Sequence, residues 1–257
     1  MKIYSNPGLG DILLWKFIHI SNPTVHISGI NINNDALKKY RLDYDACKKY
    51  LNDFVDFLFS PIECTFYNSE PSTPYGAIKD TYLYDILSHR LPPPVIRPKE
   101  YILIHTKARF DCWRYSFFNM YLPQIQEFFK TFKSKYEIII VGEKENLEQN
   151  QEVIIHGIQS LYSIFKNIAD EDMTTDDLYS RNNILHLKSD IALINGAAAN
   201  ITFGYGGPLQ LCAGFAKSTI TFVGDIQHNG LDVYSRCDKI KIHRNVESFL
   251  HNITETC

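Results

Sequence analysis

The segment ANITFGYGGPLQLCAGFAKSTITFVGD, residues 199–225, decides the fold. It opens with a short β-branched and aromatic stretch at 201–203, which predicts a strand. Pro208 then stands where the first turn of a helix tolerates a missing N–H, and an apolar helix follows it. The β-branched run 219–223 predicts a second strand. The segment is therefore predicted to form a βαβ unit.

Three glycines follow the first strand of this unit: Gly204, Gly206 and Gly207. A glycine turn that leads into a helix at the carboxyl end of a parallel strand favours anion binding, because free backbone N–H groups and the helix dipole both point at the ligand. Such glycines also serve as plain tight connections. The segment by itself leaves both interpretations open.

A second unit of the same kind begins the chain. A short strand is followed by Gly8 and Gly10, and an apolar helix is predicted from residue 12 to about residue 20. Asp11 lies at or near the N-cap of that helix, where a carboxylate accepts backbone N–H bonds and is favoured by the dipole. The same carboxylate is placed to take a proton from an attacking hydroxyl at the mouth of a cleft. Both roles stay open at this stage.

Strands and helices alternate along the rest of the chain. Further strands are predicted at 24–30, 101–105, 136–141, 153–156 and 239–243, and helices at 35–59, 115–132, 161–168, 185–193 and from 246 onwards. Residues 60–82 are expected to be irregular. The acidic run 170–181 is expected to be a surface loop rather than a metal site. The alternation predicts an α/β fold with parallel sheets.

A proline run at 91–98, LPPPVIRP, is the best domain boundary in the chain. It cannot continue a helix or a central strand, and it is expected to act as a semi-rigid spacer. We therefore predict two Rossmann-like domains, a small N-terminal domain over residues 1–95 and a second domain over residues 96–257.

Polar side chains follow several predicted strands in the second domain. Lys107 and Arg109 come after the strand at 101–105, and Glu143 follows the strand at 136–141. Open α/β sheets bind ligands at the carboxyl ends of their strands, so we expect these side chains to face the ligand together with the glycine turns. His105 is expected to be a buried core residue rather than a base.

Composition excludes some classes of function. The chain has 257 residues, 45% of them hydrophobic and 21% charged, with a formal net charge of −3. These values are typical of a soluble globular enzyme and do not favour nucleic acid as a partner. No signal peptide and no apolar run of about 18 residues is evident, so a cytoplasmic protein without a transmembrane segment is expected. The six cysteines lack CxxC or Cys/His metal spacing, and neither a metal nor a cofactor is predicted.

The two glycine units resemble those of GT-B glycosyltransferases, in particular the heptosyltransferase-like group that uses ADP-heptose. GLGDIL at 8–13 is similar to the group's first turn, and the resemblance implies that Asp11 is the catalytic base. GPLQLCA at 207–213 is similar to the donor-binding segment. The family's aspartate falls at Tyr205 and its histidine at Gln210. The backbone turn is thus kept while the side chains that contact the donor differ. His105, Lys107 and Arg109 also resemble the basic motif of fucosyltransferases.

The resemblance implies a metal-independent, inverting transfer of a sugar from a nucleoside diphosphate sugar to the hydroxyl of a glycan or glycolipid, in glycan or surface polysaccharide synthesis. Donor-binding residues would be Lys107, Arg109, Glu143, Tyr205, Gly206, Gly207 and Gln210, with Gly8 and Gly10 forming the first turn. The N-terminal domain would be on the acceptor side. A nucleotide-sugar epimerase of the same fold and a non-catalytic sugar-nucleotide-binding module are the alternatives.

Overall fold

The fold was analysed in a computed structural model. It describes residues 2–5, 9–21, 24, 26–35, 44–60, 62–67, 85, 87–106, 115–144, 161–175, 184–204, 206–224, 234 and 237–257. Within these ranges the chain forms two parallel sheets, of three and six strands, and seven α-helices. The predicted α/β class with parallel sheets is confirmed.

The first sheet has the strand order β1-β2-β3. Its strands are β1 (Lys2–Ser5), β2 (Gly29–Asn33) and β3 (Glu63–Tyr67), and its helices are α1 (Leu9–Ser21) and α2 (Tyr44–Phe59). Two predictions in this region were wrong. The second strand lies at 29–33 rather than 24–30, and residues 63–67 form a strand where irregular structure was expected. A five-residue edge strand carries too little periodicity to stand out from a polar surrounding.

The second sheet has the order β6-β5-β4-β7-β8-β9. The strands are β4 (Tyr101–His105), β5 (Glu137–Glu143), β6 (Glu171–Thr175), β7 (Ala199–Phe203), β8 (Thr219–Phe222) and β9 (Ile240–His243). The helices are α3 (Tyr115–Phe132), α4 (Leu161–Phe165), α5 (Ile184–Gly196), α6 (Gly207–Gly214) and α7 (Val246–Thr256). Numbered within the sheet, the order is 3-2-1-4-5-6, that of a dinucleotide-binding Rossmann sheet.

The acidic run was wrongly expected to be a loop, because Glu171–Thr175 forms the edge strand β6. Its charges are compatible with an edge position, where one side of the strand faces solvent. Asp170 pairs with Lys133 at 2.9 Å, and Glu171 pairs with Arg97 at 2.5 Å. These two carboxylates lie at the amino end of β6. They are therefore at the opposite end of the sheet from the carboxyl ends of the strands. The predicted strand at 153–156 lies outside the described residues.

The proline run is extended and is bound along α5. Val95 N donates to Ala192 O at 3.2 Å, and Asn195 Nδ2 donates to Pro92 O at 2.9 Å. Gly196 is needed here, since a Cβ at this position would lie 2.5 Å from Val95 O. The run is therefore attached to the second sheet's helices along part of its length.

The apolar core beneath the first sheet continues across the proline run. One buried cluster contains Ile12 and Phe17 of α1 together with Leu209 and Phe215 of the second half. The two sheets thus share hydrophobic core, and a division into domains at residues 95 and 96 remains a prediction.

Helix α6 ends in a Schellman motif with an alanine in the left-handed conformation. Lys217 N donates to Cys212 O and Ala216 N to Ala213 O, each at 3.0 Å. Ala216 has φ 53°, a conformation that is strained for a residue with a Cβ. The position is one where glycine is normally favoured.

We predict that Ala216→Gly raises the free energy of unfolding by about 1 kcal/mol, because it removes this strain. Urea unfolding would measure the change. As a control with the opposite sign, Ala192→Gly lies inside α5 and should lower the free energy of unfolding by about 1 kcal/mol. Destabilisation by Ala216→Gly would contradict the prediction.

Candidate functional site at two helix N-termini

The candidate site begins at the point where the order of the six-stranded sheet reverses. Strands β4 and β7 are neighbours there, with Ile104 opposite Ile201 in the parallel register. In open α/β sheets the ligand crevice lies outside the carboxyl ends of the strands at this reversal. The residues that follow β7 are Gly204 and then the turn into α6. The N-terminus of α6 therefore lies where such a fold binds ligands.

The turn into α6 is built on glycine. Gly204 has φ 71°, which side chains disfavour, and its N–H donates to Phe222 O at 2.9 Å. Gly206 is the N-cap residue, and because glycine has no side chain it cannot cap the helix. Pro208 occupies the first turn of the helix. The first N–H groups of α6 are thus not capped by the N-cap side chain, as anion binding at a helix N-terminus requires.

Helix α1 meets α6 at this same end. A Cβ built on Gly207 would lie 3.8 Å from Gly10 N, and one built on Gly10 would lie 3.5 Å from Gly207 Cα. Two turns further on, a Cβ on Gly214 would lie 3.4 Å from the Phe17 ring. Gly10 and Phe17 are seven residues apart, as are Gly207 and Gly214. The two helices therefore run side by side in the same direction, with their N-termini together.

This parallel contact brings two positive dipole ends to one place. Each helix N-terminus carries the equivalent of about half a positive charge. Asp11, in the first turn of α1, is 6% exposed and places a carboxylate beside them. The helix was predicted to begin at residue 12 with Asp11 at or near its N-cap, but α1 begins at Leu9, so Asp11 lies inside the first turn. A buried carboxylate in the first turn is still favoured by the dipole. The place also suits a proton acceptor next to an anion site.

Gln210 lies one turn into α6 and is 3% exposed. Its backbone N–H donates to Gly206 O at 3.1 Å. Its side chain reaches across to α1, because a Cβ on Gly10 would overlap the Gln210 Oε1 atom. The carboxamide is therefore held between the two helix N-termini.

Glu143 ends β5, next to β4 in the sheet, and is 4% exposed. Thr106 fixes this strand end: its Oγ1 donates to Val141 O at 3.0 Å and to Glu143 O at 2.8 Å. Since neighbouring strands are about 4.8 Å apart, β5 and β7 are separated by about 10 Å. Glu143 thus lies on the same edge of the sheet as the α6 turn, two strands away.

His105 and Cys212 join β4 to α6 in the interior. His105 Nε2 lies 3.8 Å from Cys212 Sγ, and both residues are buried. Burial lowers the pKa of His105 to about 4, partly opposed by a hydrogen bond with Asn200. Burial likewise raises the pKa of the Cys212 thiol to about 12. Both groups are uncharged at neutral pH. An imidazole with so low a pKa is a weak base, and a thiol that stays protonated is a poor nucleophile, so both residues suit packing better than catalysis. His105 is buried, as predicted.

The structure brings together five of the residues singled out from the sequence, Gly10, Asp11, Gly206, Gly207 and Gln210. It places Glu143 two strands away along the same edge. Gly8, Lys107, Arg109 and Tyr205 lie outside the described residues. Sequence reasoning missed the partners that fix α1 against α6, which are Phe17, Gly214 and Leu87. The seven-residue spacings from Gly10 to Phe17 and from Gly207 to Gly214 were visible in the sequence, but spacing along a helix does not show which surface the helix contacts.

Among the described residues, no group of three or more His, Cys, Asp or Glu side chains is arranged to hold a metal ion. No helix in the described part of the chain is both long and apolar enough to cross a membrane.

Comparison with known proteins finds no match: no family model, no curated protein and no solved structure is similar to this chain at a significant level. Any assignment of function therefore depends on the geometry and chemistry of this chain's own residues.

We predict that His105 makes the protein lose stability in mild acid. Its pKa is about 4 in the folded state and about 6.5 in the unfolded chain, so the unfolded state binds the proton first as the pH falls. The contribution of His105 to the free energy of unfolding is complete above about pH 6.5 and is lost towards pH 4. The free energy of unfolding should fall by up to about 3 kcal/mol over this range. Urea unfolding at pH 7.5 and pH 5 would measure it.

In the variant His105→Gln the free energy of unfolding should fall less between these two pH values than in the wild type. His251→Gln removes an exposed histidine and serves as the matched control for the loss of a histidine side chain. Equal pH dependence in His105→Gln and wild type would contradict the prediction.

Proposed function

We propose that this protein is a glycosyltransferase that moves a sugar from a nucleoside diphosphate sugar to an acceptor hydroxyl, without a metal ion and with inversion. The observation that supports this most is the contact of Gly10 with Gly207 in the first turns of two parallel helices. It gathers positive dipole ends and a buried carboxylate in one place. A reaction that expels a diphosphate and deprotonates a hydroxyl uses both.

The diphosphate leaving group gains negative charge as the bond to the sugar breaks. Donors that are already oriented towards this charge stabilise the transition state without reorganising. The N–H groups at Gly206 and Gly207 are oriented in this way by the turn that starts α6. Lys107 and Arg109 complete the proposed donor site: Arg109 can make two parallel hydrogen bonds to a phosphate, and Lys107 acts as a point charge.

Asp11 is the proposed base. It follows Gly10 directly, and Gly10 contacts Gly207 at the start of α6. The residue next to Asp11 therefore touches the proposed diphosphate cradle, which is formed by the N–H groups of Gly206 and Gly207. A carboxylate in this position can accept the proton of the acceptor hydroxyl as it attacks the sugar. Attack by the hydroxyl itself, in a single displacement, inverts the anomeric carbon.

Glu143 is the proposed partner of the nucleoside. It lies about 10 Å from the α6 turn along the strand ends, which separates a ribose subsite from a diphosphate subsite. Carboxylates at the end of the equivalent strand accept hydrogen bonds from ribose hydroxyls in nucleotide-binding Rossmann sheets. Tyr205 would line the same donor site.

We further propose that the first, three-stranded sheet faces a glycan or glycolipid acceptor and that the reaction takes place in the cytoplasm.

A screen of nucleotide sugars tests the proposal. We expect at least one member of a panel of UDP, GDP, ADP, CMP and dTDP sugars to raise the melting temperature, since a ligand that binds only the folded state stabilises it by mass action. Incubation of that donor with candidate acceptors should release the free nucleotide. A product that keeps its nucleotide would indicate an epimerase instead, and tight binding without turnover would indicate a binding module.

We predict that Asp11→Asn lowers kcat by at least about a hundredfold, because loss of a general base costs about 10² to 10⁴ in rate. Donor affinity should stay within about threefold, measured by calorimetry. Asp45→Asn is the matched control, since Asp45 also stands in the first turn of a helix but is exposed. Unchanged turnover in Asp11→Asn would remove Asp11 from the mechanism.

A further inference from the structure

The side chain of Gln210 occupies the space between the two glycine turns. It belongs to α6, yet its Oε1 atom lies against Gly10 of α1, at the position that a Cβ would fill. It is 3% exposed, so the carboxamide is enclosed rather than extended into solvent. The resemblance to known glycosyltransferases had suggested that this residue contacts the donor. The geometry instead directs its side chain towards α1.

The contact depends on the absence of a side chain at residue 10. The nearest backbone atom to a Cβ on Gly10 would be Gly207 Cα at 3.5 Å, an ordinary van der Waals separation. The Cβ would overlap only the side chain of Gln210, at the far end of that flexible side chain. Gly10 therefore makes room for the Gln210 carboxamide and not for the α6 backbone.

We propose that Gln210 is a positioning residue that sets the distance between the base Asp11 and the diphosphate cradle. Its contact holds Gly10, and Asp11 is the next residue, while Gln210 itself is one turn from Gly206 and Gly207. The side chain thus links the two groups whose separation governs the proton transfer. This inference is based on the proposed function. It adds that Gln210 acts through α1 and does not touch the donor.

The physical expectation follows from how steeply such reactions depend on geometry. A displacement of about 1 Å in a reacting group can cost about a hundredfold in rate. Ground-state binding of the donor through the α6 N–H groups changes much less, because those groups stay on their own helix. A defect in positioning therefore lowers kcat and leaves donor affinity nearly unchanged.

The experiment is a double-mutant cycle with Gly10→Ala, Gln210→Ala and the two changes together. Gly10→Ala displaces the carboxamide, and Gln210→Ala removes it, so both should lower kcat by about a hundredfold and change the donor dissociation constant by less than about threefold. Both interrupt one contact, so the double variant should be no slower than the worse single variant, whereas independent effects would multiply to about 10⁴-fold. Gln124→Ala, an exposed glutamine on α3, is the control without effect.

Three results would overturn the inference. A loss of donor affinity in Gln210→Ala as large as its loss of kcat would mean that Gln210 binds the donor. Multiplicative effects in the double variant would mean that Gly10 and Gln210 act separately. The same cycle measured on the free energy of unfolding needs no substrate, and additive changes there would also refute the contact. A wild-type protein that transfers no sugar would instead refute the proposed function, and the unfolding cycle would still decide whether Gln210 couples the two turns.

Discussion

The side-by-side contact of α1 and α6 is the constraint on which the rest of the molecule depends. At one end Gly207 lies against the Gly10 backbone, and at the other Gly214 lies against the Phe17 ring. Leu87 packs at the Gly214 end of this contact: its N–H donates to Gly214 O at 2.8 Å, and its side chain is fully buried. A Cβ at Gly214 would lie 3.2 Å from the Leu87 side chain, so this end of the contact leaves little room for a larger residue. The contact joins the two sheets and creates the candidate site together.

The same contact has an electrostatic cost. Parallel helices with adjacent N-termini bring like partial charges together, which is unfavourable in an apolar surrounding. Asp11 offsets part of this through its carboxylate, and the shared core offsets more through buried apolar surface. A bound anion would offset the rest. The packing therefore favours a negatively charged group at this place, which supports the proposal of a diphosphate substrate.

Local sequence patterns predicted much of the architecture. The buried apolar run at 101–105 and the helical spacing at 115–132 gave β4 and α3 with their observed bounds. The strands β3 and β6 were missed because both are short, lie at sheet edges and carry polar residues such as Glu63 and Asp172. At an edge, burial on one side suffices, so composition does not separate a strand from a loop.

The sequence by itself determined the α/β class, the glycines Gly10, Gly206 and Gly207 in the first turns of two helices, and the carboxylate Asp11 at a helix start. These follow from residues close together in the chain, since glycine permits backbone conformations that other residues disfavour, while proline and β-branched side chains restrict the backbone. Only the tertiary structure decided that the two turns meet and that Gln210 lies between them. The two helices are separated by about 200 residues of chain, so their local sequences do not specify which of their faces will touch. The contact is set by burial of the shared apolar core.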